Sequence, residues 1–365
     1  MRADADRSSA SPAPTRFDHL TLGQRVRFGA GQGRASLADE IERMGARRAM
    51  VVAARDERAL AEALTSGLAV AVLHDDVVMH VPSEVAARAR RVAAEHDVDV
   101  LISVGGGSTT GLAKAVALTS GLPIVAVPTT YAGSEATDVW GMTELSRKTT
   151  GVDPRVLPRT VIYDAELTLS LPVDISVASG FNALAHCVDS LWAPRADPIN
   201  GAMAVEGTRA LSRGLPAIVE DPRGIGGREL ALYGAYLSAV AFASAGSGLH
   251  HKICHVLGGM FDLPHAQTHA VVLGCVLALN APFAPEAAGR LAAALESDDA
   301  VTGLARLRDR LGVPAALRDL GMPESGIGAA ASAVVEAAPE SNPAPVTTES
   351  MTSLLRAAWR GGVER

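Results

Sequence analysis

From Val26 to Pro128 short apolar runs alternate with stretches of helical spacing, and this alternation limits the fold more than any other feature of the chain. Val26-Arg27-Phe28, Ala49 to Ala53, Ala69 to Leu73, Val98 to Val104 and Pro123 to Pro128 read as strands. Leu37 to Met44, Leu60 to Thr65, a stretch from Ser83 (its cap) to His96, and the segment after Ser108 to about Thr119 read as helices. Strands separated by helices pair in parallel, so the order predicts a parallel sheet wrapped by helices. Beyond Asp164 the strand signals fade. Ala- and Leu-rich stretches at 174–192, 198–216, 227–247, 249–261, 266–281, 287–296, 300–311, 325–337 and 348–359 predict helices. The expected organisation is a polar, disordered tail over 1–15, a Rossmann-like nucleotide-binding α/β domain over 16–165, and an all-α domain over 166–365.

Several function classes are excluded early. Aromatics make up 4% of the chain, too few for base-stacking platforms, and a net charge of −7 without a dense Lys/Arg run offers nucleic acid no footprint. No uninterrupted apolar run reaches the roughly 18 residues of a membrane span. Cys187, Cys254 and Cys275 are an odd, unpaired set in apolar surroundings, which fits a reducing cytoplasm.

The strand ending at Val104 runs straight into Gly105-Gly106-Gly107-Ser108-Thr109-Thr110. Residues without Cβ let backbone N–H groups approach an anion, and the following helix adds its positive end. A pyrophosphate is the natural guest, with hydroxyl donors from Ser108 and Thr109. Thr129 and Thr130 close the next strand, in position to hold a ribose or an amide beside that loop. Gly29-Ala30-Gly31-Gln32-Gly33 could be a second cofactor contact or a plain turn.

Half of the ten histidines fall between 250 and 269. His251 and His255 are four apart, as are Asn182 and His186, so each pair shares a helix face. His265 follows a proline at an expected helix start. Such imidazole density points to a metal or a proton-transfer site. A divalent ion on three neutral imidazoles lacks a compensating anion, and Asn182 offers only a carbonyl oxygen.

Taken together, these residues resemble the iron-containing alcohol dehydrogenase superfamily. The matching pieces are Gly105-Gly106-Gly107-Ser108, Pro128-Thr129-Thr130, the Asn182/His186 pair, and His251, His255 and His265, over about Phe17 to Gly361. Within it the chain is similar to the maleylacetate reductases, most specifically in Phe181-Asn182-Ala183-Leu184-Ala185-His186, Leu249-His250-His251-Lys252-Ile253-Cys254-His255 and Asp262-Leu263-Pro264-His265-Ala266-Gln267-Thr268-His269. The resemblance implies a dehydroquinate synthase-like fold, NADH or NADPH as cofactor, and a cytoplasmic homodimer. Metal-using relatives carry Asp at position 182, with His186, His251 and His265 as ligands. Maleylacetate reductases resemble this chain in having Asn there and working without added metal, so no metal is expected.

The implied reaction is NAD(P)H-dependent reduction of the C=C bond of maleylacetate to 3-oxoadipate, a step in the catabolism of aromatic compounds. Expected catalytic groups are His251, His255, Lys252, His186 and His265. Expected cofactor contacts are Gly105, Gly106, Gly107, Ser108, Thr109, Thr129 and Thr130. Asn182, Lys148 and Arg155 are expected to meet the dicarboxylate substrate. The competing expectation is a metal-dependent alcohol dehydrogenase or carbonyl reductase. Cofactor choice stays open: Val51-Val52-Ala53-Ala54-Arg55 has no acid at the strand end for a ribose 2′-hydroxyl, and Arg55 could accept a 2′-phosphate.

Overall fold

A computed structural model describes residues 16–144, 147–313 and 316–362; the tail expected over 1–15 lies outside the described residues. Among the described residues eight strands form: β1 (Arg25–Phe28), β2 (Ala49–Val52), β3 (Val70–His74), β4 (Val100–Gly105), β5 (Ile124–Pro128), β6 (Val139–Glu144), β7 (Arg147–Val152) and β8 (Thr160–Tyr163). Six make one sheet in the order β1-β8-β5-β4-β2-β3, every pair parallel. The central strands β2, β4 and β5 are buried along their whole length, which is why they read as unbroken apolar runs. Helices α1 (Gly33–Met44), α2 (Arg58–Leu64), α3 (Ser83–Glu95) and α4 (Gly107–Ser120) cover the sheet. One apolar layer joins Leu37 and Ile41 to Val51, Ile102 and Val127; the other joins Val85 and Ala89 to Met50, Leu101 and Leu112.

The helical half holds α5 (Val173–Ser190), α6 (Pro198–Glu220), α7 (Ile225–Ala245), α8 (Leu249–Phe261), α9 (His265–Asn280), α10 (Pro285–Ala294), α11 (Ala300–Leu311), α12 (Ile327–Ala337) and α13 (Thr348–Arg360). α5, α6 and α7 pack closely through glycines: a Cβ on Gly207 would lie 2.9 Å from Cys187 Sγ, and one on Gly214 would lie 2.9 Å from the Gly227 carbonyl oxygen. The stretch His265–Phe283 is long and apolar enough to span a membrane by length and composition, but 56% of it is buried within the fold, as in a core helix.

Three details differ from the sequence reading. The first is an antiparallel hairpin, β6 with β7, inserted after β5. The second is Ser83, which is the first residue of α3 and makes no capping bond; Pro82 stands at the cap. The third is β8, which the sequence did not announce. Gly29 to Gly33 is the plain turn of its two alternatives. The N–H groups of Gly31 and Gly33 donate to the two oxygens of Asp164 at 2.8 and 2.7 Å, so the protein's own carboxylate occupies the anion position. That segment is a pinned turn at the carboxyl end of β1.

Candidate active site

The glycine loop joins β4 to α4. Gly105 has φ +149°, a conformation that side chains resist, and a Cβ there would run into the Glu57 carboxylate and the Thr109 hydroxyl. A Cβ on Gly106 would sit 3.0 Å from Thr130 Cγ2. The N-terminus of α4 has no side-chain cap. Uncapped N–H groups behind a cradle that a Cβ would fill fit a pyrophosphate, with Thr130 on the facing wall. Thr109 is buried against the loop, and Thr129 donates its hydroxyl to Glu57 Oε1 at 2.6 Å, so these two shape the cradle from within.

The loop after β5 carries this cradle toward the helical half. Tyr131 N–H donates to Ser179 Oγ on α5 at 3.1 Å. Asn182 and His186 follow three and seven residues later on the same helix. Ser179 to His186 thus spans about 10 Å along one helix face, the scale of half a dinucleotide.

At the far end the imidazoles gather. His186 stacks on His251 with ring centroids 4.9 Å apart and planes 17° from parallel, and Phe242 of α7 packs on both at 4.6 and 4.4 Å. His255 and His265 are exposed and stacked on each other at 6.3 Å, forming an outer rim. His269 bridges inner and outer groups, 4.8 Å from His251 and 4.4 Å from His265. Lys252 is half-buried beside them.

Asp189 organises the centre, and sequence reasoning passed it over. It lies on α5 three residues after His186 and is fully buried. Its Oδ2 lies 2.7 Å from His251 Nδ1, and the backbone N–H groups of His250 and His251 donate to its two oxygens at 3.3 and 3.2 Å. The carboxylate therefore caps the start of α8 and holds one ring at the same time. Burial pushes the Asp189 carboxyl up, while the His250 imidazole and the α8 N–H groups pull it back. Burial, reinforced by His255 and His265, holds His251 well below the ordinary imidazole range, so the ring is neutral. With its proton on Nδ1 facing Asp189, Nε2 is a bare acceptor, and it has no partner among the described residues.

Among the described residues, Asn182 Oδ1, His186 Nδ1 and His269 Nε2 are also buried without partners. His250 Nε2 and His269 Nδ1 share a hydrogen bond at 2.9 Å. Burial lowers the basicity of His186 and His269 well below the usual range and that of His250 to about 3.

The expected substrate cations are less well placed. Arg155 spends its fork on Asp153, at 2.9 and 2.6 Å, with more than half its side chain exposed. Lys148 belongs to β7, and its side chain lies outside the described residues.

For a divalent metal these imidazoles bring neutral donors only. Asn182 supplies no anion, and Asp189 is committed to His251 and α8. Among the described residues, the group of three whose ligand atoms all approach within 4.8 Å is His250, Cys254 and His269, not His186, His251 and His265. In that group the two imidazoles already bond each other, and burial pushes the Cys254 thiol well up.

Comparison with known proteins settles the family. The iron-containing alcohol dehydrogenase model matches residues 23–165, and the C-terminal model of the same family matches 176–359. The chain belongs to the iron-containing alcohol dehydrogenase family. It is an oxidoreductase. The maleylacetate reductase of Sphingobium indicum is 47% identical over 347 residues, 94% of this chain and 98% of the relative. An iron-containing alcohol dehydrogenase from Corynebacterium glutamicum is 60% identical, with a TM-score of 0.94 over 96% of this chain and 98% of that one. The maleylacetate reductase of Agrobacterium tumefaciens has a TM-score of 0.92 at 42% identity, over 96% and 99% of the two chains.

Proposed function

We propose that this alcohol dehydrogenase relative reduces the C=C bond of maleylacetate, giving 3-oxoadipate, with NADH or NADPH and without a metal. The family membership and the 47% identity to a maleylacetate reductase support the reaction. The observation that carries the metal-free reading is the inner pocket itself: a neutral His251 fixed by Asp189, beside Asn182 where a ligand carboxylate would be needed.

Gly105, Gly106, Gly107 and Thr130 would hold the pyrophosphate of the dinucleotide, whose reduced nicotinamide would supply hydride for the carbon β to the substrate ketone. Negative charge then grows on the ketone oxygen, and a donor must meet it. His251 presents an acceptor at Nε2, so we assign it an orienting role and give donation to the rim. His255 is the general acid, one turn along α8 from His251 and with its ring centroid 6.5 Å away. Lys252 meets a substrate carboxylate, together with the Asn182 amide. Phe242 and the stacked His186 exclude water from the floor, which strengthens the polar contacts made there.

We further place the domain join at 165/166 and read the protein as a cytoplasmic homodimer. The test of the reaction is consumption of reduced nicotinamide with maleylacetate, with 3-oxoadipate identified as product by mass spectrometry. Cofactor consumption with saturated aldehydes and none with maleylacetate would overturn the substrate assignment.

A further inference from the structure

β2 pairs with β4 from Ala49↔Val100 to Val52↔Ser103, so its carboxyl end stands beside the glycine loop. The chain then runs through Ala53 and Ala54 into a short turn, Arg55–Glu57. Asp56 points to solvent, but Glu57 turns inward. One of its oxygens accepts from Thr129; the other lies over the α-carbon of Gly105, where a Cβ would collide with it. No Arg or Lys pairs with this carboxylate among the described residues; burial pushes it up, with Asp56 adding to the rise, while Thr129 and the Ala54 backbone pull it back. A half-buried acid without a cation, set against a loop built for an anion, costs stability unless something else satisfies it.

In sheets of this type an acid at the end of the strand next to the phosphate loop accepts from the ribose diol of the adenosine half, whereas a ribose 2′-phosphate needs an arginine. We propose that Glu57 is the cofactor-selecting residue: the oxygen not bonded to Thr129 accepts a ribose hydroxyl of NADH, and its charge excludes the 2′-phosphate of NADPH. The acid escapes notice in the sequence because it sits five residues past the strand end, brought back by the turn. Arg55, in the same turn, is exposed. The inference rests on the reading of Gly105 to Gly107 as the pyrophosphate cradle.

The test compares NADH with NADPH in kcat/KM, and ADP-ribose with its 2′-phosphorylated form in calorimetric binding, for the whole enzyme and for Glu57→Gln, Glu57→Ala and Arg55→Ala. The unmodified enzyme should favour NADH. Glu57→Gln keeps a partner for Thr129 and should cut that preference about tenfold, mainly through tighter binding of the phosphorylated ligands. Arg55→Ala should leave the ratio nearly unchanged. A native preference for NADPH, or an unchanged ratio in both Glu57 variants with ADP-ribose still bound, overturns the assignment and leaves the cradle standing. Failure of the unmodified enzyme to bind either ADP-ribose form removes the cradle, and Glu57's role with it.

Discussion

The Asp189 carboxylate lies 2.7 Å from Nδ1 of His251, and the same carboxylate takes the first N–H groups of the helix that carries His251. One buried group thus sets a ring's tautomer and the position of its helix. Asp189→Asn keeps an acceptor for α8 but presents an amide N–H to His251 and drives the ring proton to Nε2. We expect kcat to fall on the order of tenfold to a hundredfold with cofactor affinity nearly unchanged. Asp189→Ala strands buried donors as well, each costing about 1–3 kcal/mol, and should lower the melting temperature more than the Asn variant does. Calorimetry beside steady-state kinetics separates the two effects; normal turnover in Asp189→Asn would remove the dyad from the mechanism.

The cradle yields a sharper steric prediction. Since a Cβ on Gly106 already lies 3.0 Å from Thr130 Cγ2, the branched side chain of Gly106→Val fills the space reserved for the pyrophosphate. Fluorescence titration should detect no binding of reduced nicotinamide by a variant that keeps the native melting temperature. Retained affinity would relocate the cofactor.

Asn182→Asp places a carboxylate at a helix position one turn from His186, where Asn182 Oδ1 is buried without a partner among the described residues. Elemental analysis of the protein as purified should find iron or zinc bound at close to one ion per chain in this variant and at trace level in the native protein. Equal metal content in both would contradict the charge argument.

Acid should unfold the protein early. His186, His250, His251 and His269 are held neutral in the folded state, with protonation displaced below the ordinary imidazole value of 6.5, to about 3 for His250. Below pH 6.5 the unfolded chain binds protons that the folded one refuses, so stability falls as pH falls toward the depressed values. Each such group contributes about 1.4 kcal/mol per pH unit inside that window. Urea denaturation at pH 7.5 and at pH 5.5 should give a markedly lower midpoint at the acid value; equal midpoints would mean that the imidazoles are already charged or accessible.

The sequence made the parallel sheet, the glycine turn and the run of C-terminal helices readable because each has a period or a missing Cβ behind it. β8 was not read because four residues, Thr160 to Tyr163, carry no period. The β6–β7 hairpin escaped because β7, Arg147 to Val152, is polar in its first four residues and has no apolar face to announce it. In the site, His186 stacks on His251, and His269, which the sequence did not single out, joins them, while His255 and His265 form a rim and Arg155 is taken by Asp153. Asp189 was within reach, since three residues after His186 is the same helix face; what sequence spacing could not give is that α8 begins directly above it.

The central claim is a reduced nicotinamide working against an imidazole pocket that needs no cation. The most direct measurement follows cofactor absorbance with maleylacetate after exhaustive chelation, with metal content determined in the same sample. Undiminished turnover at trace metal is the predicted result. A chelated enzyme that is inert and recovers only with added iron or zinc would contradict it.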